Sequence, residues 1–202
     1  RILNRLSKLT FEAFPDSFSK SSKIHTVGNP VRSGIIKNPA TEAKRKEHFN
    51  ILILGGSQGS KQLNEIVIKA FKDKIIPSYW RIVHQTGDLD KSSVVDIYSR
   101  QSFSYEVVSY IEDIGKAYHE SDLVVGRSGA MTVSEICCSS KPSILFPLPW
   151  ASDNHQYFNA KFLEDKKATI LLESSLDSAD RLFILLNDLE KDHNARHSMS
   201  LN

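Results

Sequence analysis

Cysteine is nearly absent: the chain of 202 residues has two, the neighbours Cys137 and Cys138. Adjacent cysteines cannot form an ordinary disulfide framework and lack metal-ligand spacing, so a reducing compartment is the simplest reading. Long apolar runs are missing too. The longest, 144–151, is short and broken by Pro147 and Pro149, whereas a spanning helix needs about 20 apolar residues. No secretory signal is visible, and peripheral contact with a membrane stays open. Charge of one sign is scarce, since 26 Lys and Arg against 24 Asp and Glu leave a net +2. With no basic stripe interleaved with aromatics, nucleic acid is not an expected partner. No internal repeat, low-complexity tract or serine or cysteine triad can be assembled. His193 and His197 are four apart but lack the glutamate of the H-E-x-x-H zinc motif, and read as exposed tail residues. His84, at a strand end, reads as structural. The chain opens on Arg1 rather than methionine, which leads to the expectation that an amino-terminal portion is missing.

What is present is an ordinary globular composition, 40% hydrophobic and 25% charged, long enough for one domain with a sizeable core. Residues 1–9 place Ile2, Leu6 and Leu9 on one helical face. Residues 11–23 read as irregular, 24–27 as a short strand, and 38–49, with Lys44-Arg45-Lys46, as a solvated connector. From residue 50 the pattern is regular. Strands are expected at 51–54, 81–85, 105–108, 122–125, 143–146 and 168–172. Helices are expected from 60 to about 71, and at 90–100, 111–120, 130–140, 153–165 and, last, 177–191. Continuous apolar strands alternating with helices predict an α/β fold, a Rossmann-like parallel sheet with helices on both faces. Ligands of such sheets bind at the carboxyl ends of the strands. The turns 28–32, 55–59, 126–129 and 147–156 all fall at that edge.

The chemistry concentrates in Gly126-Arg-Ser-Gly-Ala-Met-Thr-Val-Ser-Glu135. A strand that stops at a Ser-Gly turn and restarts as a helix exposes unpaired backbone N–H groups beside the positive end of a helix dipole, which suits phosphate. Glu135 has the wrong charge for phosphate but is the right acceptor for ribose hydroxyls; a local cap with Thr132, three residues earlier, is the plainer alternative. Gly55-Gly56-Ser57-Gln58-Gly59 is neither the dinucleotide fingerprint nor a Walker A loop. A phosphate cradle and a turn needing φ > 0 fit it equally. Arg32 offers a forked, permanent charge suited to pyrophosphate. Asp153-Asn154-His155-Gln156 opens a helix and reads either as sugar contacts or as an N-cap by Asp153.

These motifs, with Gly28-Asn29-Pro30-Val31-Arg32 and residues 153–160, resemble the carboxyl-terminal, donor-binding half of the MurG family. Those bacterial enzymes of glycosyltransferase family 28 convert lipid I to lipid II in peptidoglycan synthesis. The resemblance runs from about residue 13 to 172 and implies one half of a GT-B glycosyltransferase. It divides the chain into 1–27, the end of an amino-terminal domain and linker; 28–175, a UDP-sugar-binding domain; and 176–202, a carboxyl-terminal helical segment. It implies that Arg32 and Ser57 contact the diphosphate and that Ile111 holds uracil through its backbone. Ala130, Met131, Thr132, Val133 and Ser134 would contact phosphate and sugar, Glu135 the ribose and Gln156 the N-acetylglucosamine hydroxyls. Gly56, Gly59, Arg127 and Asn159 are further candidates. No metal or other cofactor is implied. The general base is expected on the absent amino-terminal domain, which would also take lipid I, at the cytoplasmic face of the bacterial inner membrane as a peripheral enzyme; the chain itself is expected to be soluble. Two alternatives remain: a stand-alone UDP-sugar-binding subunit with a separate partner, and a related GT-B enzyme with another acceptor.

Overall fold

The structure, a computed structural model, describes residues 6–15, 18–36, 47–56, 58–88, 90–148 and 154–202. It opens with a two-stranded parallel sheet, β1 (Thr10–Glu12) and β2 (Ile24–Thr26). A single 3-10 turn follows at Ser33–Ile35. From there strands and helices alternate: β3 (Phe49–Leu54), α1 (Lys61–Lys72), β4 (Trp80–Gln85), α2 (Lys91–Tyr98), β5 (Ser104–Val108), α3 (Ile114–Glu120) and β6 (Leu123–Arg127). The chain continues through α4 (Ala130–Ser139), β7 (Ser143–Phe146), α5 (His155–Glu164), β8 (Thr169–Leu171), α6 (Ser178–Lys191) and α7 (His193–Leu201).

The main sheet is parallel throughout, in the order β5-β4-β3-β6-β7-β8. Its central strands β3, β6 and β7 are buried on both faces because helices cover both, while the edge strand β5 is largely exposed. Ile51 and Ile53 face a core that includes Val67, Phe71, Trp80, Ile82, Val125, Leu182 and Leu186. Leu52 and Leu54, one residue out of phase, face Val133, Ile136, Leu145 and Ile35. Alternation along one strand thus feeds two cores. Helix α6, on the α1 side, shares the first core through Leu182, Leu186 and Leu189. The chain winds outward from β3 to β5, then returns to lay β6 on the other side of β3. Strand-to-helix turns of two neighbouring strands therefore diverge at the carboxyl ends of β3 and β6, and a crevice opens between them.

The strands expected from residue 51 onward are all present, and four local expectations change. Residues 10–12, within a stretch expected to be helical and then irregular, form β1; three residues are too few to show a strand period. Ser7–Leu9 are not helical, and residues 1–5 lie outside the described residues. Helix α3 starts at Ile114 rather than 111, because Asp113 caps it by accepting from the Lys116 N–H at 2.9 Å, which leaves Tyr110–Glu112 as a loop. Helix α5 starts at His155 with Asn154, in a left-handed conformation, at the N-cap position. Asp153, expected there, lies outside the described residues, as does the Lys44-Arg45-Lys46 cluster. Finally, 177–191 is not the last helix: Asp192 caps α7 by accepting from the Ala195 N–H at 2.8 Å. Only Ala195 and Met199 of α7 pack on the core, too few to give its polar sequence a visible apolar face.

Candidate functional site

A cavity of about 630 Å3 occupies the crevice between the β3 and β6 turns. One wall is the amino-terminus of α4. No side chain caps it, and the first intrahelical bond runs from the Val133 N–H to the Gly129 carbonyl. The N–H groups of Ala130, Met131 and Thr132 therefore have no partner within the helix and project toward the cavity that these residues line. The opposite wall is the β3–α1 turn, lined by Gly55, Gly56 and Gln58. Gly56 and Gly59 have φ of +84° and +76°, so the turn does need left-handed backbone. A Cβ on Gly59 would lie 2.3 Å from the Thr86 carbonyl oxygen, and one on Gly87 2.8 Å from the Gly59 Cα. The turns after β3 and β4 thus touch backbone to backbone.

Arg32 enters from the third side. The buried Ile35 anchors its 3-10 turn in the second core, the His119 ring shares a hydrogen bond with the Gly34 carbonyl, and α3 packs on Gly34 through Gly115, which has no room for a Cβ. Asn29 ties the same segment to α4, donating to the Ala130 carbonyl at 3.3 Å and the Ser134 hydroxyl at 3.0 Å. The Arg32 guanidinium is held above its ordinary pKa chiefly by its hydrogen bond to Tyr110, with Glu135 adding to the shift. Glu135 is half-buried on α4 and accepts from the Tyr118 hydroxyl at 3.1 Å. Burial pushes its carboxyl pKa up, while the Tyr118 bond and Arg32 pull it down. Loss of solvent thus dominates, and the carboxylate lines the cavity with Tyr118 as its hydrogen-bond donor. The site combines anion-seeking groups, Arg32 and the α4 terminus, with one carboxylate that accepts hydroxyl donors.

The sequence model of the glycosyltransferase family 28 C-terminal domain matches residues 50–202. The chain belongs to this family. Among glycosyltransferase 28 relatives, it is 38% identical over 184 residues to an enzyme of Coxiella burnetii named UDP-N-acetylglucosamine–N-acetylmuramyl-(pentapeptide) pyrophosphoryl-undecaprenol N-acetylglucosamine transferase, covering 89% of this chain and 51% of the relative. An Acinetobacter baumannii enzyme of the same name is 39% identical over 181 residues, covering 86% and 49%. The chain thus spans about half the length of these curated relatives. The crystal structure of Acinetobacter baumannii MurG superposes with a TM-score of 0.78 at 32% identity, covering 98% of this chain and 56% of that one. A glycosyltransferase of kitacinnamycin, at a TM-score of 0.69 and 18% identity, shares the fold.

The expected site residues that lie among the described ones fall into two groups. Arg32, Gly56, Ile111, Arg127, Ala130, Met131, Thr132 and Glu135 line the one cavity. The rest stand apart from it. The Val133 side chain is fully buried in the second core, as its place one turn along the inner face of α4 requires, and its N–H is used within the helix. Ser134 is turned to Asn29 and the Ala130 carbonyl. Gly59 serves the backbone contact with Gly87. Gln156 is buried and accepts from the Leu148 N–H at 3.1 Å; Asn159 donates to the Ser128 carbonyl at 3.0 Å. These two stabilise the turns after β7 and β6. Ser57 lies outside the described residues. Of the four converging turns, 147–156 contributes Pro147, Leu148 and Asn154 to a second cavity of about 280 Å3 rather than the first. Glu135 bonds to Tyr118, so the local cap with Thr132 is not formed.

Several lining or supporting residues were not singled out as contacts, Gln58, Gln85, Tyr110, Ile114 and Tyr118 among them. Gln58 sits inside the glycine turn already singled out, and Gln85 ends β4 beside it, so its place at the carboxyl edge was a usable signal. Tyr110 and Tyr118 had none. Half-buried Arg127 leaves its Nε without a hydrogen-bond partner among the described residues, and the buried Ser128 Oγ likewise; burial pushes the Arg127 pKa down. His84 is structural, as expected. Fully buried, it bonds to the Tyr98 hydroxyl at 3.0 Å and to Asn64 Oδ1 at 3.1 Å, and desolvation lowers its pKa to about 3.

Proposed function

We propose that the chain is the donor-binding half of an inverting transferase that moves N-acetylglucosamine from UDP-N-acetylglucosamine to lipid I, undecaprenyl-pyrophosphoryl-MurNAc-pentapeptide, giving lipid II. The observation that carries this reading is Glu135, a half-buried carboxylate in the same cavity as Arg32 and the uncapped start of α4. A nucleoside diphosphate has complementary parts: phosphates for the cationic wall and ribose hydroxyls for the carboxylate. The Tyr110–Ile111 loop lines the same cavity, and in this reading it takes the base. The relatives named above supply the sugar and the acceptor. In this reading segment 1–27 goes with the other half of the enzyme, 28–175 holds the donor, and 176–202 is a carboxyl-terminal helical segment.

The chemistry follows from that placement. The muramyl 4-hydroxyl attacks the anomeric carbon from the face opposite UDP and forms a β1→4 bond. The bond between that carbon and the β-phosphate oxygen breaks, its electron pair leaves with UDP, and the hydroxyl proton goes to a base on the other half. Charge grows on the departing diphosphate, where Arg32 and the α4 dipole are strongest, so their help is greatest in the transition state. A lipid acceptor of this kind places the enzyme at the cytoplasmic face of the bacterial inner membrane, as a peripheral protein.

A transfer assay with labelled UDP-N-acetylglucosamine and lipid I tests this, run with the chain alone and with an amino-terminal half supplied. The chain alone is expected to bind UDP and transfer nothing, and the two halves together to make lipid II. Calorimetry showing no saturable UDP binding by the chain would sink the reading.

A further inference from the structure

Gln85 closes β4, the strand between β3 and β5, and is paired in register with Leu54 on one side and Val108 on the other. It therefore stands between the two turns that the cavity needs on that side: the glycine turn after β3 and the Tyr110–Ile111 loop after β5. Its side chain is 5% exposed and lines the cavity. Both ends of its amide are used. Nε2 donates to the Gly56 carbonyl at 2.8 Å, and Oε1 accepts from the Ile111 N–H at 3.3 Å. The backbone adds a third tie, because the Gln85 carbonyl accepts from the Gly55 N–H at 3.1 Å. One planar amide thus spans the two loops and fixes their separation. No other described side chain hydrogen-bonds to both.

We propose that Gln85 is the positioning residue that sets the span between the phosphate-side turn and the base-side loop, and so selects a nucleoside 5′-diphosphate whose two ends must reach both. This rests on the donor-site reading above. A ligand that touches only one loop gains little from a fixed separation. A ligand that touches both gains a great deal, because a loose pair of loops has to be ordered at the moment of binding. Serine, valine or any other short residue at 85 would leave the Gly56 carbonyl and the Ile111 N–H to find separate partners. The side chain acts through the loops, so its signature lies in the comparison of ligands rather than in one affinity.

The test is titration of the 15N-labelled chain, followed by NMR, with UDP and separately with uridine, for the unaltered chain and for Gln85→Met and Gln85→Asn. Methionine keeps the length of the side chain without its bonds, and asparagine keeps the amide one methylene short. Well-dispersed spectra identify the folded variants. In both variants the UDP affinity is expected to fall about tenfold while uridine affinity changes less than twofold, so that the ratio of the two collapses. An unchanged ratio, or an equal loss for both ligands, overturns the role of Gln85. UDP affinity fully kept in Gln85→Asn overturns it too. If the unaltered chain binds no UDP, the donor-site reading fails, and the inference fails with it.

Discussion

Glu135 and His84 show how the same loss of solvent serves opposite ends. At Glu135, burial raises the pKa but leaves the group at a cavity mouth, where a ligand can supply further donors. Glu135→Ala should weaken UDP binding about tenfold or more, from the roughly 1.5–3 kcal/mol of a shielded carboxylate–hydroxyl bond; unchanged affinity in calorimetry would remove Glu135 from the ribose. Affinity should also fall as pH drops through the raised pKa. Tyr118→Phe removes the bond that holds the ionised form, so the acid limb of the UDP-binding profile should move to higher pH. At His84 the ring is sealed in with Asn64 and Tyr98, and the neutral form is the one that fits. Its folded pKa of about 3 lies below the unfolded value of 6.5. Between those values the unfolded chain holds one more proton, so stability falls with acidification by about 1.4 kcal/mol per pH unit from this group. It is fully present above pH 6.5. Urea titrations from pH 6.5 to 4 should show a slope smaller by that amount in His84→Gln; identical slopes would mean that the ring protonates in the folded state.

The short elements carry more of the site than their length suggests. Helix α3 has seven residues, yet it supports the turn that carries Arg32, supplies Tyr118 to Glu135, and contributes Ile114 to the cavity. At its contact with the turn, a Cβ on Gly115 would lie 2.5 Å from the Gly34 carbonyl oxygen. Gly115→Ala should push the turn away at a strain of about 1–3 kcal/mol and lower UDP affinity several-fold, with helical content by circular dichroism unchanged. Unaltered affinity would show that Arg32 does not depend on this contact. The alternation of strands and helices was legible because the central strands β3, β6 and β7 carry apolar runs and the helices before α7 carry buried apolar positions. The start of α4 was legible because the whole motif is contiguous. Gln85, 29 residues from Gly56, and Tyr118, 17 from Glu135, reach the site only through strand pairing and helix packing. Spacing along the chain does not encode that. Val133 was misplaced for the converse reason: neighbours on a helix point in different directions, and contiguity alone hides it.

Across the whole molecule, two cores lie back to back on one sheet, and α6 belongs to the first of them although it follows the last strand. Leu186 is fully buried there. Leu186→Ala should cost roughly 2–5 kcal/mol in a single urea transition; a change under about 1 kcal/mol, or a separate early transition, would mean that 178–191 folds independently. The crevice at the strand-order reversal is a property of the fold, and the residues that line it supply its chemistry.

Where the Gly59 and Gly87 backbones meet, a Cβ at either position would lie under 3.0 Å from backbone atoms of the facing turn, so a side chain at either forces one turn to shift against the other. The turn that lines the cavity through Gly55, Gly56 and Gln58 is thus backed by the turn after β4, and neither can be reshaped without the other.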